Sequence, residues 1–191
     1  PNGTPIYSAR IIPFRGSWVE FATDINHVLY VYIDRRKKFP STTLLRALGY
    51  ESEEQILNLF NLIEEIDIKE LDVEKHIGRV AAEDVIDVTT GEIFVSKEIV
   101  LSEEIFNEIK KSTVKKLKLI SAETSLDQDL ILNTLKKDTA VTKEEALFAI
   151  YRQLRSGEAP DLETAQGLID KLFFNDKRYD LGEVGRFRMN D

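Results

Sequence analysis

Apolar and polar positions change rhythm three times along the 191 residues of this chain. Near the start they alternate. In WVEFATD, Trp18, Glu20 and Ala22 fall on one face of an extended chain, and Val19, Phe21 and Thr23 on the other. That period of two is the signature of a strand. IYSARIIPF, residues 6–14, reads as an earlier strand ending near Pro13. VLYVYI, residues 28–33, is dense in β-branched and aromatic residues and reads as a later one. Arg15-Gly16-Ser17 and DINH, residues 24–27, supply the turns. The pattern predicts three strands, most simply a meander.

After Pro40 the period lengthens to that of a helix. Ser41 or Thr42 is the expected cap of TTLLRALGY, and Gly49 its stop. Ser52-Glu53-Glu54-Gln55 is a capping box before Ile56, Leu57, Leu59 and Phe60. From about residue 61 to 123 the grammar changes again. EEIDIKELDV alternates, RVAAEDVIDVTTGEIFVSKEIV suits a hairpin turning at Thr89-Thr90-Gly91, SEEIFNEIKK suits a short helix capped by Ser102, and VKKLKLIS suits a strand. The last third is helical: LDQDLILNTLKK (residues 126–137), ALFAIYRQLR behind a second capping box at Thr142-Lys143-Glu144-Glu145, and DLETAQGLIDKLFF. Gly157 is the expected C-cap of the middle helix. NDKRYDLGEVGRF reads as a glycine-punctuated loop, and RFRMND as a strand-like or turn-like tail. With Pro1 at the other end, that tail suggests a piece of a longer protein. The fold class expected is α+β. A lobe of three N-terminal strands plus helices, over residues 1–60 and 126–191, is interrupted by a small α+β subdomain at 61–125.

Composition narrows the options. At 42% hydrophobic and 31% charged residues this is ordinary globular material. No cysteine is present, which excludes disulfides and thiolate metal sites. Only two histidines occur, His27 and His76. No apolar run approaches the length of a membrane span. The net charge is −8 and unevenly spread. Residues 61–125 carry 9 basic and 15 acidic side chains, whereas residues 1–60 carry 7 and 6. An acidic block does not seek phosphates, so any nucleic-acid contact falls to the outer thirds.

Within those thirds, four cations run from Arg35 to Lys38 behind Asp34. Such a run is either a solvated strand exit or a phosphate-contacting corner, in which Asp34 can clamp an arginine rotamer. Trp18, the only tryptophan, is either a core anchor or a platform on which an unpaired base stacks. Arg152, Arg155 and Gly157 end a helix, where cations either answer the negative helix terminus or contact phosphate. Lys177-Arg178 beside Tyr179 is a third such pair. The nucleotide-binding, hydrolase and zinc motifs GxxxxGK[ST], GxSxG and HExxH are absent, as is any aspartate-rich metal cluster.

Taken together, YSARIIPFRGSWVEF, YIDRRKKFPSTTLLRALGY, ILNTLKKD, ALFAIYRQLRSGEAPDLETAQGLIDKLFF and KRYDLGEVGRFRMN resemble the lobe, or second β domain, of the β subunit of bacterial DNA-directed RNA polymerase. The resemblance covers about residues 1–60 and 126–191, and the middle third stands where that family carries a lineage-variable insertion. It implies a jaw of the DNA cleft, lying along downstream duplex and the displaced non-template strand. It implies that Trp18 stacks near a non-template base, with Asp34, Arg35 and Arg36 beside it, and that Arg155, Gly157 and Arg178 face the DNA channel. It implies partners in the α, β′, ω and sigma subunits, no membrane, and a cytoplasmic, nucleoid-associated setting. Transcription-factor docking is the alternative role. No catalytic residue or cofactor is expected in this segment: the family's nucleotidyl-transfer Mg²⁺ is held by β′ aspartates, so the segment alone is expected to be inactive.

Overall fold

The computed structural model describes residue 3 and residues 5–121, 126–157 and 161–190, and the architecture is α+β. The chain divides into two compact units. One comprises residues 1–56 and 126–191, the other residues 57–125.

The first unit opens with four antiparallel strands in sequential order: β1 (Ser8–Ile11), β2 (Val19–Thr23), β3 (Leu29–Ile33) and the short β4 (Phe39–Pro40). The alternating pattern predicts the first three. The fourth escapes it because two residues carry no period, and their pairing with Tyr30 and Val31 is set across the sheet. Between β1 and β2 the register places Arg10 opposite Glu20 and Ile11 opposite Val19.

Helix α1 (Ser41–Ala47) follows at once, with Pro40 rather than Ser41 or Thr42 at its N-cap. Ser41 and Thr42, the expected caps, are both buried, and Thr42 and its neighbour Thr43 bond across to Asp138 instead. Thr42 donates to Asp138 Oδ2 at 2.7 Å and Thr43 to Asp138 Oδ1 at 2.8 Å. Gly49 does close the helix: its N–H reaches Arg46 O and that of Tyr50 reaches Leu45 O, the paired bonds of a left-handed glycine stop. Helix α2 (Glu53–Leu59) opens on the Ser52–Gln55 capping box, with both reciprocal bonds at 3.1 Å.

The second unit holds β5 (Ile63–Asp67), α3 (Val73–His76), β6 (Val85–Ile86), β7 (Ile93–Val95), α4 (Glu103–Lys111) and β8 (Lys116–Ile120). Strand β5 pairs with β8, and β6 with β7 around the expected hairpin. Ser102 caps α4 by accepting from Ile105 N. Phe106, Ile109, Leu101, Leu117 and Leu119 form its own closed core.

The chain then returns to the first unit through α5 (Leu126–Lys137), α6 (Lys143–Leu154) and α7 (Leu162–Ile169), which runs into a π-helical turn, Asp170–Phe174. Thr142 and Glu145 complete the capping box of α6. Helix α6 packs between α1 and α7, while α5 lies against β3, where Leu29 N donates to the buried Thr134 hydroxyl at 2.8 Å. Val31, Ile33, Ala146, Leu147, Ile150 and Ile169 form the shared core of the early strands and late helices.

Two further sequence expectations fail. Helix α6 ends at Leu154 with Arg155 as an extended C-cap, so Gly157 does not close it. Residues expected to form a loop and a strand-like tail form α8 (Gly182–Asn190) instead. Asp180 Oδ1 accepts from Gly182 N at 2.9 Å to start that helix, and Glu183 and Arg188 match the sign of its two ends. It buries no residue, so it has no apolar face that a period search could find.

Candidate nucleic-acid interface

The interface is built from the β3–β4 connection outward. Arg36 N donates to Ile33 O at 3.0 Å, closing a tight turn over Asp34 and Arg35. Both central residues have positive φ, 50° and 56°. Asp tolerates that region, whereas Arg adopts it at a cost of roughly 1 kcal/mol. Asp34 is locked to the β1–β2 side: its N–H donates to Trp18 O and its Oδ1 accepts from Trp18 N, each at 2.9 Å. The carboxylate therefore fixes the tryptophan backbone and does not clamp an arginine, as the sequence had suggested.

Trp18 sits one residue before β2, opposite in phase to the buried Val19, and its side chain is 36% exposed. It is not a core anchor. The guanidinium of Arg35 lies 5.4 Å from its ring centroid and that of Arg10 5.8 Å. Arg36 has a structural task as well, donating to Leu154 O at 3.0 Å and so satisfying a carbonyl at the end of α6. That bond draws the cationic turn against the α6 terminus.

Two open grooves result, and Arg155 lines both. The first is bordered by Arg35, Arg36, Lys37, Arg152, Arg155 and Gly157, with no carboxylate among the described residues of its lining. The second is bordered by Arg15, Gly16, Asp34, Arg155, Lys171 and Arg178, where Asp34 carries the one carboxylate among the described lining residues. Eight cations thus line two adjoining grooves on a chain of net charge −8.

Arg178 arrives through a long-range seam. Arg15 and Asp180 pair as an isolated antiparallel bridge, with bonds of 3.0 and 2.8 Å, and the Arg15 guanidinium donates to Lys177 O at 3.2 Å. Gly16, at φ 124°, permits the approach: a Cβ there would stand 2.6 Å from Tyr179 Cδ2 and 3.1 Å from Arg178 O. Tyr179 also meets Phe173 edge-on at 5.8 Å, and burial pushes its phenol above the ordinary value.

All seven residues expected from the sequence border this face: Trp18, Asp34, Arg35, Arg36, Arg155, Gly157 and Arg178. Arg10, Arg15 and Lys171 were missed. Arg10 is signalled only by its register against Glu20, and Lys171 lies in the π turn, which leaves no local sequence signal. Among the described residues no cluster of three or more His, Asp or Glu stands ready to hold a metal ion, and no helix is long and apolar enough to cross a membrane.

A small four-stranded sheet backed by helices presents a cationic, indole-bearing face, the candidate interface of this module. Comparison with known proteins gives it a family. Residues 94–191, just over half the chain, match the family described as RNA polymerase Rpb2, domain 2. Over 99% of its length the chain is 49% identical to the DNA-directed RNA polymerase subunit beta of Flavobacterium psychrophilum, 48% to that of Cytophaga hutchinsonii and 47% to that of Chlorobaculum tepidum. It spans 16%, 16% and 15% of those proteins. The chain belongs to the RNA polymerase Rpb2 domain 2 family.

Proposed function

We propose that this chain serves DNA-templated RNA synthesis as a wall of the DNA cleft in a bacterial RNA polymerase β subunit. Its basic face grips downstream duplex and the displaced non-template strand. The observation that carries this reading is the meeting of the two grooves at Arg155, which gathers eight cations, one of them, Arg35, over the exposed Trp18 indole. Guanidinium groups fork onto phosphate oxygens, and an indole face stacks on any base, so the set reads backbone and unpaired bases without sequence preference. Cations spread along grooves, rather than massed in one patch, suit a polymer that must slide. On this reading the chain binds and orients DNA. Phosphoryl transfer and its Mg²⁺ belong to aspartates of a β′ subunit, with α, ω and sigma subunits completing a cytoplasmic assembly.

The test is a salt titration of this chain with a labelled single-stranded oligonucleotide, followed by fluorescence anisotropy. With about four phosphates engaged, affinity falls roughly 50-fold between about 50 and about 200 mM salt. Salt-insensitive binding overturns the reading. A second reading, docking of transcription factors, is favoured by a separate groove where Glu51, Glu144 and Glu163 outnumber Lys143 around Leu147 and Leu162. Its sign suits a basic, partly apolar peptide and repels phosphate. If docking is the sole role, no DNA binding is observed at low salt.

A further inference from the structure

The two guanidinium groups on Trp18 are held in different ways. Arg10 faces Glu20 directly across β1 and β2, and its Nε and one terminal nitrogen bond Glu20 Oε2 at 2.8 and 2.6 Å. It is a charge-assisted clamp between two paired strands. Arg35 is exposed on the turn, and its guanidinium has no ion pair or hydrogen bond among the described residues. Its one side-chain contact of note is the ring, at 5.4 Å. Its neighbour Asp34 is tied to Trp18 at both backbone and side chain, so the turn is fixed while the Arg35 side chain is free to swing.

We infer that Arg35 is a displaceable occupant of the Trp18 ring and Arg10 a fixed positioning residue: a base arriving on the indole takes the place of Arg35, while Arg10, clamped by Glu20, keeps the ring oriented. This rests on the proposed stacking role of Trp18. An exposed cation–π contact is weaker than base–aromatic stacking, so the exchange runs toward the base. The released guanidinium already borders the groove that contains Arg155, where it can fork onto the neighbouring phosphate. Arg10 resists the same displacement, because leaving the ring also breaks its bonds to Glu20.

The chain has one tryptophan, so its emission reports this ring alone. The experiment titrates the chain with an oligothymidylate and with an abasic oligomer of equal phosphate count. The readout is tryptophan quenching and the ratio of the abasic Kd to the thymidylate Kd. The thymidylate quenches and binds more tightly, whereas the abasic strand quenches little. In Arg10→Ala and in Glu20→Gln the ratio falls about threefold, the size expected for one exposed cation–π contact. Arg35→Gly, which suits the left-handed turn, weakens both oligomers alike and leaves the ratio at or above its original value. Circular dichroism melts identify any variant that unfolds, and the remaining variants decide. An unchanged ratio in the Arg10 and Glu20 variants, or an equal fall in Arg35→Gly, overturns the inference while leaving the stacking role intact. A ratio of one in the unsubstituted chain overturns both.

Discussion

Trp18 is the residue on which the DNA-binding reading turns. Its neighbour Val19 is buried at 3% exposure, and strand alternation sends the indole the other way. Truncating it removes an outward-facing ring and its two cation contacts, not a piece of the core. Trp18→Ala is therefore expected to cost about 1–2 kcal/mol without unfolding the unit, while affinity for single-stranded DNA drops roughly tenfold. Thermal melts and anisotropy measure the two effects on the same sample, and a melted variant would return the residue to the core-anchor role. The alternation of WVEFATD placed Trp18 and Val19 on opposite faces but left open which face is buried. The partner of Asp34 was not legible, because the bond from Trp18 N joins residues 16 apart through a register no local window contains.

At the scale of elements, capping was the most readable feature. Ser52, Ser102 and Thr142 each accept the expected backbone N–H, since a cap engages residues three apart and depends on local chemistry alone. The start of α1 escaped that logic. Thr42, Thr43 and Arg46 converge on Asp138, at the end of α5, and the Arg46 and Asp138 side chains are 3% and 1% exposed. The Arg46 guanidinium also donates to Val141 O and Glu51 O. This cluster joins α1 to the chain where it returns from the second unit. Asp138→Ala leaves a buried guanidinium without its counter-charge and two hydroxyls without acceptors. A loss of about 3–5 kcal/mol is expected, read as a fall in the urea midpoint. A loss below about 1 kcal/mol would mean that water relieves the cluster. Helix α8 shows the converse failure: a helix with no buried face leaves no periodic trace.

For the molecule as a whole, charge is divided by unit. Residues 57–125 carry 9 basic and 15 acidic side chains, and the cation-lined grooves belong to the other unit. The seam between Arg15 and Asp180 decides whether that face is complete, because it carries Arg178 to the second groove. Gly16→Ala places a methyl against Tyr179 and the Arg178 carbonyl at a backbone angle alanine disfavours. We expect about 2–3 kcal/mol of destabilisation in urea, together with a several-fold loss of DNA affinity. Unchanged affinity would separate Arg178 from the binding face.

By itself the sequence determined the menu of elements, most of their caps, the acidic character of the middle third and the identity of the cations. These are local properties, expressed through period, hydrogen-bonding chemistry and formal charge. Only the tertiary structure decided that residues 15, 18, 35, 155 and 178 share one face. That convergence runs through the bonds from Asp34 to Trp18, from Arg36 to Leu154 and between Arg15 and Asp180. Each joins segments whose separation along the chain carries no periodic signal, so the meeting is fixed by packing and register.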